Sequence, residues 1–259
     1  MLSYSERGNG APLILLHAFP LNRHMWDAQM ESWSQCCRVV APDFRGFGES
    51  QIGEQESRME LFADDVRNLL DKLKISEPII LLGLSMGGYV AFEFCRKYPE
   101  RLRGLVLVAT QPISDSEESR RSRFELAELV RTRGTQVLIE KMTPRLLGKT
   151  SLESRPQVIE RVHQLMTSNP PKGVSKACYG LASRRDSTLI LAEVKVPTLI
   201  VTGAEDCIIP KSQLEAMKSG IRMSQLVVIQ QSGHLVNLEQ PEEFNRVVQG
   251  YLVTVVKDA

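Results

Sequence analysis

Ser85, Asp206 and His234 carry the most suggestive chemistry in this chain. A serine hydroxyl becomes a useful nucleophile when a base takes its proton and a carboxylate holds that base in place. Ser85 stands in Gly83-Leu84-Ser85-Met86-Gly87-Gly88. Glycines two residues to either side free a sharp turn of the side chains that would crowd it, so a hydroxyl can stand clear of its surroundings. Before the turn comes Pro78-Ile79-Ile80-Leu81-Leu82, an unalternating apolar run that predicts a strand buried on both faces. After it, Tyr89 to Tyr98 predicts a buried helix ending before Pro99. A helix starting near Met86 points free N–H groups and partial positive charge at the serine, where an oxyanion would form.

The chain holds four histidines. His234, in Ser232-Gly233-His234, follows the last predicted strand and so belongs to the layer where Ser85 emerges. His17 also follows a strand, while His24 and His163 fall in a loop and in a helical region. Asp206, in Gly203-Ala204-Glu205-Asp206-Cys207, follows another strand, with Glu205 as a weaker rival. Nucleophile, acid and base in that order is the arrangement used where a strand–turn–helix carries the serine. Two oxyanion donors are expected, the N–H of Met86 and one from His17-Ala18-Phe19-Pro20, assigned to Phe19. His17 then shapes that loop, as Gly83 and Gly87 shape the turn. Cys207 borders Asp206 and is expected to be a buried, small apolar residue.

These residues need a scaffold that brings strand ends together. Strands are predicted at 2–7 (turned at Gly8-Asn9-Gly10), 13–16, 38–41, 78–82, 105–109, 198–201 and 226–229, and helices at 26–34, 58–74, 86–98 and 241–256. Such alternation specifies a parallel, doubly wound sheet. Residues 112–186 break the pattern with dense charge, no strand-like run and helices near 119–132, 134–142, 155–167 and 173–183. This segment is expected to be a cap over the strand ends, on a core of residues 1–111 and 187–259. At 259 residues, 42% hydrophobic and 24% charged, the composition is that of a globular protein. A net charge of +1 sets up no field for nucleic acid or a membrane surface. No apolar run reaches the roughly 20 residues of a membrane span, and the start lacks a signal-peptide core. Five scattered cysteines form no metal spacing and fit reduced thiols in a cytoplasm. Oligomeric state is not legible.

The chain resembles the α/β-hydrolase superfamily over nearly its whole length. His17-Ala18-Phe19-Pro20 resembles the family's H-G-x-P loop, and Asp43-Phe44-Arg45-Gly46-Phe47-Gly48-Glu49-Ser50 its D-x-R-G-x-G-x-S segment. Ser85, Asp206 and His234 fall on the nucleophile, acid and base positions. The G-x-S-M-G-G turn and a four-helix cap are similar to enol-lactonases and pimeloyl-carrier methyl esterases. The resemblance implies a mostly parallel sheet flanked by helices, with the cap inserted after the family's sixth strand. It implies a serine hydrolase of small or medium esters, lactones or thioesters, with a small-molecule substrate and no metal or organic cofactor. The same triad would also serve carbon–carbon bond hydrolysis or cofactor-free haloperoxidase chemistry, and a receptor-like binding protein could keep the fold. Two departures stand out: the family's first strand is expected to be absent, and Ala18 replaces a glycine, so the oxyanion loop is expected to be reshaped. A helical cap implies an enclosed pocket suited to small esters and poor for long triglycerides. Its basic residues, from Arg120, Arg121 and Arg123 through Arg145 to Arg161, are mostly expected to face water. A sharper expectation turns one or two of them inward to hold a substrate anion.

Overall fold

The computed structural model describes residues 2–54 and 57–257, so the outermost residues of the expected core (1, 258 and 259) lie outside the described residues. Seven strands form one sheet: β1 (Tyr4–Arg7), β2 (Ala11–Leu16), β3 (Cys37–Pro42), β4 (Ile79–Leu84), β5 (Leu102–Val108), β6 (Thr198–Gly203) and β7 (Ser224–Ile229). Their spatial order is β1-β3-β2-β4-β5-β6-β7. All neighbours run parallel except β1, which lies antiparallel to β3 at one edge. The turn at Gly8–Gly10 therefore reverses the chain without closing a hairpin, because β3 lies between β1 and β2.

The strand assignments follow from burial. Every residue of β4 and β6 is buried, as expected of central strands covered on both faces. Helices α1 (Asp27–Trp33), α2 (Met59–Lys72) and α3 (Met86–Lys97) fall between the first five strands. In α2, Met59, Phe62, Ala63, Val66, Leu69 and Leu70 make one buried stripe at helical spacing. In α3 the run from Met86 to Cys95 is buried throughout, because α3 packs between the sheet and α2.

Between β5 and β6 come five helices: α4 (Glu117–Arg133), α5 (Val137–Leu146), α6 (Lys149–Ser154), α7 (Pro156–Thr167) and α8 (Pro171–Ala182). The expected four become five because the short α6 has too few residues to show an apolar period. Helix α4 packs on α8, and α5 on α7. After β6 come α9 (Lys211–Gly220), α10 (Val236–Glu239) and α11 (Pro241–Lys257). Helix α9 has no counterpart in the sequence reading, and α11 matches it closely. No helix among the described residues is long and apolar enough to cross a membrane.

Candidate active site

Ser85 sits between β4 and α3 with φ 53° and ψ −109°, a backbone region that L-residues with a Cβ rarely enter. The turn is held by long-range bonds: the Ser85 N–H donates to Val108 O at 2.9 Å, and Thr110 Oγ1 donates to Ser85 O at 3.0 Å. The flanking glycines are needed for close approach. A Cβ on Gly83 would collide with the Gly87 carbonyl, and one on Gly87 with the Leu16 carbonyl of β2. The two limbs of the turn are therefore pressed on each other, and the turn on β2.

His234 and Asp206 meet at the ends of β7 and β6. His234 Nδ1 lies 3.0 Å from Asp206 Oδ2, and both side chains are only 1% exposed. The other carboxylate oxygen, Oδ1, accepts from the N–H of Ile208 at 2.8 Å and of Ile209 at 3.3 Å. Burial alone would raise the Asp206 carboxyl, but His234 and the two N–H donors outweigh it and hold it below the usual carboxylate range. Glu205 points elsewhere: its carboxylate accepts from Thr150 N at 2.8 Å and Thr150 Oγ1 at 2.5 Å, on α6. The geometry thus separates the two neighbouring acids, only one of which reaches the imidazole.

Ser85, His234, Phe19 and Met86 line one cavity of about 450 Å³. No hydrogen bond joins the Ser85 hydroxyl to His234 among the described residues, a looseness common before substrate is bound. The Phe19 N–H has no protein acceptor among the described residues. Met86 is the first residue of α3, so its N–H has no preceding turn to bond to. Both residues line the cavity, and neither N–H has an internal acceptor among the described residues. Ala18 stays out of the left-handed region, so the alanine strains nothing there and the expected reshaping of the loop does not arise from its φ. Cys207 is exposed rather than buried, correcting the sequence expectation: its Sγ turns to the Arg145 carbonyl at 3.5 Å. Among the described residues no cluster of His, Cys, Asp or Glu could hold a metal ion.

His17 ties this loop to the rest. Phe44 N donates to Nε2 at 3.0 Å, so Nε2 is unprotonated, and Nδ1 faces the Ala18 carbonyl at 3.0 Å. The ring is neutral by construction. Burial pushes its pKa from 6.5 down to about 4, against the opposing pull of Asp43 and the Ala18 carbonyl. The unfolded chain takes up this proton more readily than the folded one. Stability from this site is therefore complete above the ordinary imidazole value and is lost as pH falls from 6.5 toward about 4. The loss amounts to about 3 kcal/mol when complete. Melting temperatures from pH 7 to pH 4 check this: His17→Asn should flatten part of the wild-type decline, and parallel curves would refute it.

Several residues of the site left no sequence signal. Tyr89, four residues after Ser85, lines the cavity. Leu126, Met142, Leu146, Leu181 and Ile208 supply apolar wall. Glu239, 3% exposed, accepts from Gly233 N and Gly148 N, both at 2.8 Å. Burial raises its carboxyl despite those donors and Ser151 and Leu235. It bridges the loop before His234 to the start of α6, while Glu205 bridges the loop of Asp206 to the same helix. Glu239→Gln puts a donor where two N–H groups need acceptors. It should lower kcat about tenfold to a hundredfold by shifting His234, with KM nearly constant. It should also move the low-field N–H proton resonance of His234. An unchanged kcat and resonance would assign Glu239 to packing alone.

A family model for the alpha/beta hydrolase fold matches residues 11–241. The chain is 28% identical to 3-oxoadipate enol-lactonase 1 of Acinetobacter baylyi, over 95% of this chain and 90% of that one. It is 30% identical to the AB hydrolase superfamily protein YisY of Bacillus subtilis, over 95% and 93%. Among solved structures, a thermophilic esterase from Thermogutta terrifontis with malate bound is 44% identical, superposes with a TM-score of 0.95, and is matched over 98% of this chain and 93% of that one. With the sheet order, the Ser85 turn and the His234–Asp206 pair, these matches place the chain in the alpha/beta hydrolase family.

Proposed function

We propose that the protein hydrolyses small and medium carboxylic esters, lactones or thioesters through an acyl-enzyme on Ser85. One observation carries this: the buried His234–Asp206 pair opens onto the same cavity as a serine held on a strained turn at a helix start. His234 Nε2 takes the hydroxyl proton as Ser85 attacks the carbonyl carbon. Asp206 fixes the ring through Nδ1 and stabilises the imidazolium. The carbonyl oxygen gains charge and is met by the N–H groups of Phe19 and Met86. His234 then returns the proton to the leaving alcohol or thiol. A water, deprotonated by the same ring, releases the acid and restores the serine.

The similarity to an enol-lactonase and an esterase supports ester-type substrates. The cavity volume and apolar wall support small and medium acyl groups. The test is intact-mass analysis after a fluorophosphonate ester, with turnover of p-nitrophenyl esters in parallel. The reading requires one adduct, mapped to Ser85, and loss of turnover in proportion. Labelling without turnover of any ester, lactone or thioester would favour a binding protein on the same fold.

A further inference from the structure

Several of the insert's basic side chains meet partners outside the Ser85 cavity. Arg120, Arg131, Lys141 and Lys149 pair with near neighbours in sequence. Arg161 pairs with Asp27, and Arg155 donates to the carbonyls of Gln231 and Glu239. Arg123 and Arg145 alone among these basic residues line the Ser85 cavity. Arg145 makes no side-chain hydrogen bond or ion pair among the described residues, and its backbone, at the end of α5, is fixed beside the triad: the next residue's carbonyl accepts from Leu235 N. Arg123 shares one carboxylate, Asp115, with Arg184. Arg184 also faces Asp186, so the two guanidiniums meet two acids here. Arg184 lies over the ring of Tyr89 at 4.2 Å, and Arg123 lies over that of Phe19 at 5.9 Å, so both press on side chains of the cavity wall. Glu118 is the single acid lining the cavity, beside Arg123, which Asp115 pairs, and Arg145, which has no acid partner among the described residues.

We propose that Arg145, with Arg123 beside it, forms an anion subsite that selects esters carrying a second, free carboxylate. This rests on the ester-hydrolase reading above. Planar guanidinium suits a carboxylate, and Arg145, exposed at the cavity and without a side-chain partner among the described residues, has no ion pair to break when an anion arrives. Arg123 is preorganised by Asp115, and Arg145 supplies the free donors.

The experiment compares three compounds of matched length. Monomethyl adipate carries the carboxylate in its acyl half, 5-acetoxypentanoate carries it in its alcohol half, and methyl hexanoate carries none. Binding to Ser85→Ala protein is measured by calorimetry at low and high salt, and kcat/KM on wild type with the same three esters. At least one anionic ester should exceed the neutral one about tenfold at low salt, the factor one charge-assisted hydrogen bond carries. High salt should shrink that ratio. Arg145→Gln should remove it and Arg145→Lys restore part of it. Equal or better binding of methyl hexanoate at both salts overturns the subsite, as does a ratio that Arg145→Gln leaves in place. The two readings fail separately: anion-selective binding without turnover in wild type refutes the hydrolase and keeps the subsite, while turnover without selectivity does the reverse.

Discussion

Ser85→Ala should lower kcat on the best ester by about five to six orders of magnitude while the protein stays folded. Removing the nucleophile of a triad costs nearly as much as removing all its members, because the three residues act as one unit. The structure adds a second half to this expectation. The Ser85 hydroxyl makes no hydrogen bond among the described residues, so its loss leaves no buried partner unsatisfied. The strain lies in the backbone, at φ 53° and ψ −109°, and alanine keeps the Cβ that makes this region costly. Glycine does not. Ser85→Gly should therefore be equally inactive but more stable than Ser85→Ala by about 1 kcal/mol, a rise of about 2–4 °C in Tm for a chain of this size. Residual kcat above about one-hundredth of wild type in Ser85→Ala would remove the serine from the chemistry. A Ser85→Gly protein less stable than Ser85→Ala would show that the turn stores no usable strain.

This strained position was legible from the sequence because it depends on local pattern. A buried strand, a glycine two residues before the serine and one two residues after, and an apolar helix are all contiguous between 78 and 98. The two partners were legible for a weaker reason, their places just beyond predicted strands, which puts them in one layer without fixing a distance. The contacts that hold those partners were not legible. Glu239 meets Gly148 across 91 residues of chain, and Glu205 meets Thr150 across 55. Nothing in a short acidic helix or an unpatterned six-residue helix announces such bonds. Cys207 shows the same limit: adjacency to Asp206 said nothing of which way its side chain turns. The arginines of the helical insert were legible as a group and not one by one. Which of them faces the cavity depends on how α4 and α5 are rotated, and helix α4, with its weak apolar stripe of Ala127 and Val130, gives little guide.

The neighbouring acids Glu205 and Asp206 give the sharpest contrast available at a single loop. Asp206→Asn should lower kcat about ten-thousand-fold near neutral pH. The amide keeps the size of the carboxylate, and its carbonyl can still accept from the Ile208 and Ile209 N–H groups. It cannot serve at the same time as an anion for the imidazolium, and its NH₂ group favours the wrong ring tautomer. Glu205→Gln should cost only a few-fold, since its carboxylate meets Thr150 and not His234. Both carboxyls also bear on stability, Glu205 being held below its usual range chiefly by Thr150. The Asp206 carboxyl lies below its usual range when folded, so it stabilises the fold above the unfolded carboxylate value, and this is lost as pH falls through the lowered folded value. Parallel kcat–pH and Tm–pH curves for wild type and both variants test the whole set. A crippled Glu205→Gln enzyme beside a near-normal Asp206→Asn enzyme would mean that the imidazole is held from the neighbouring position, and that the 3.0 Å contact between Asp206 and His234 is not the one used in turnover.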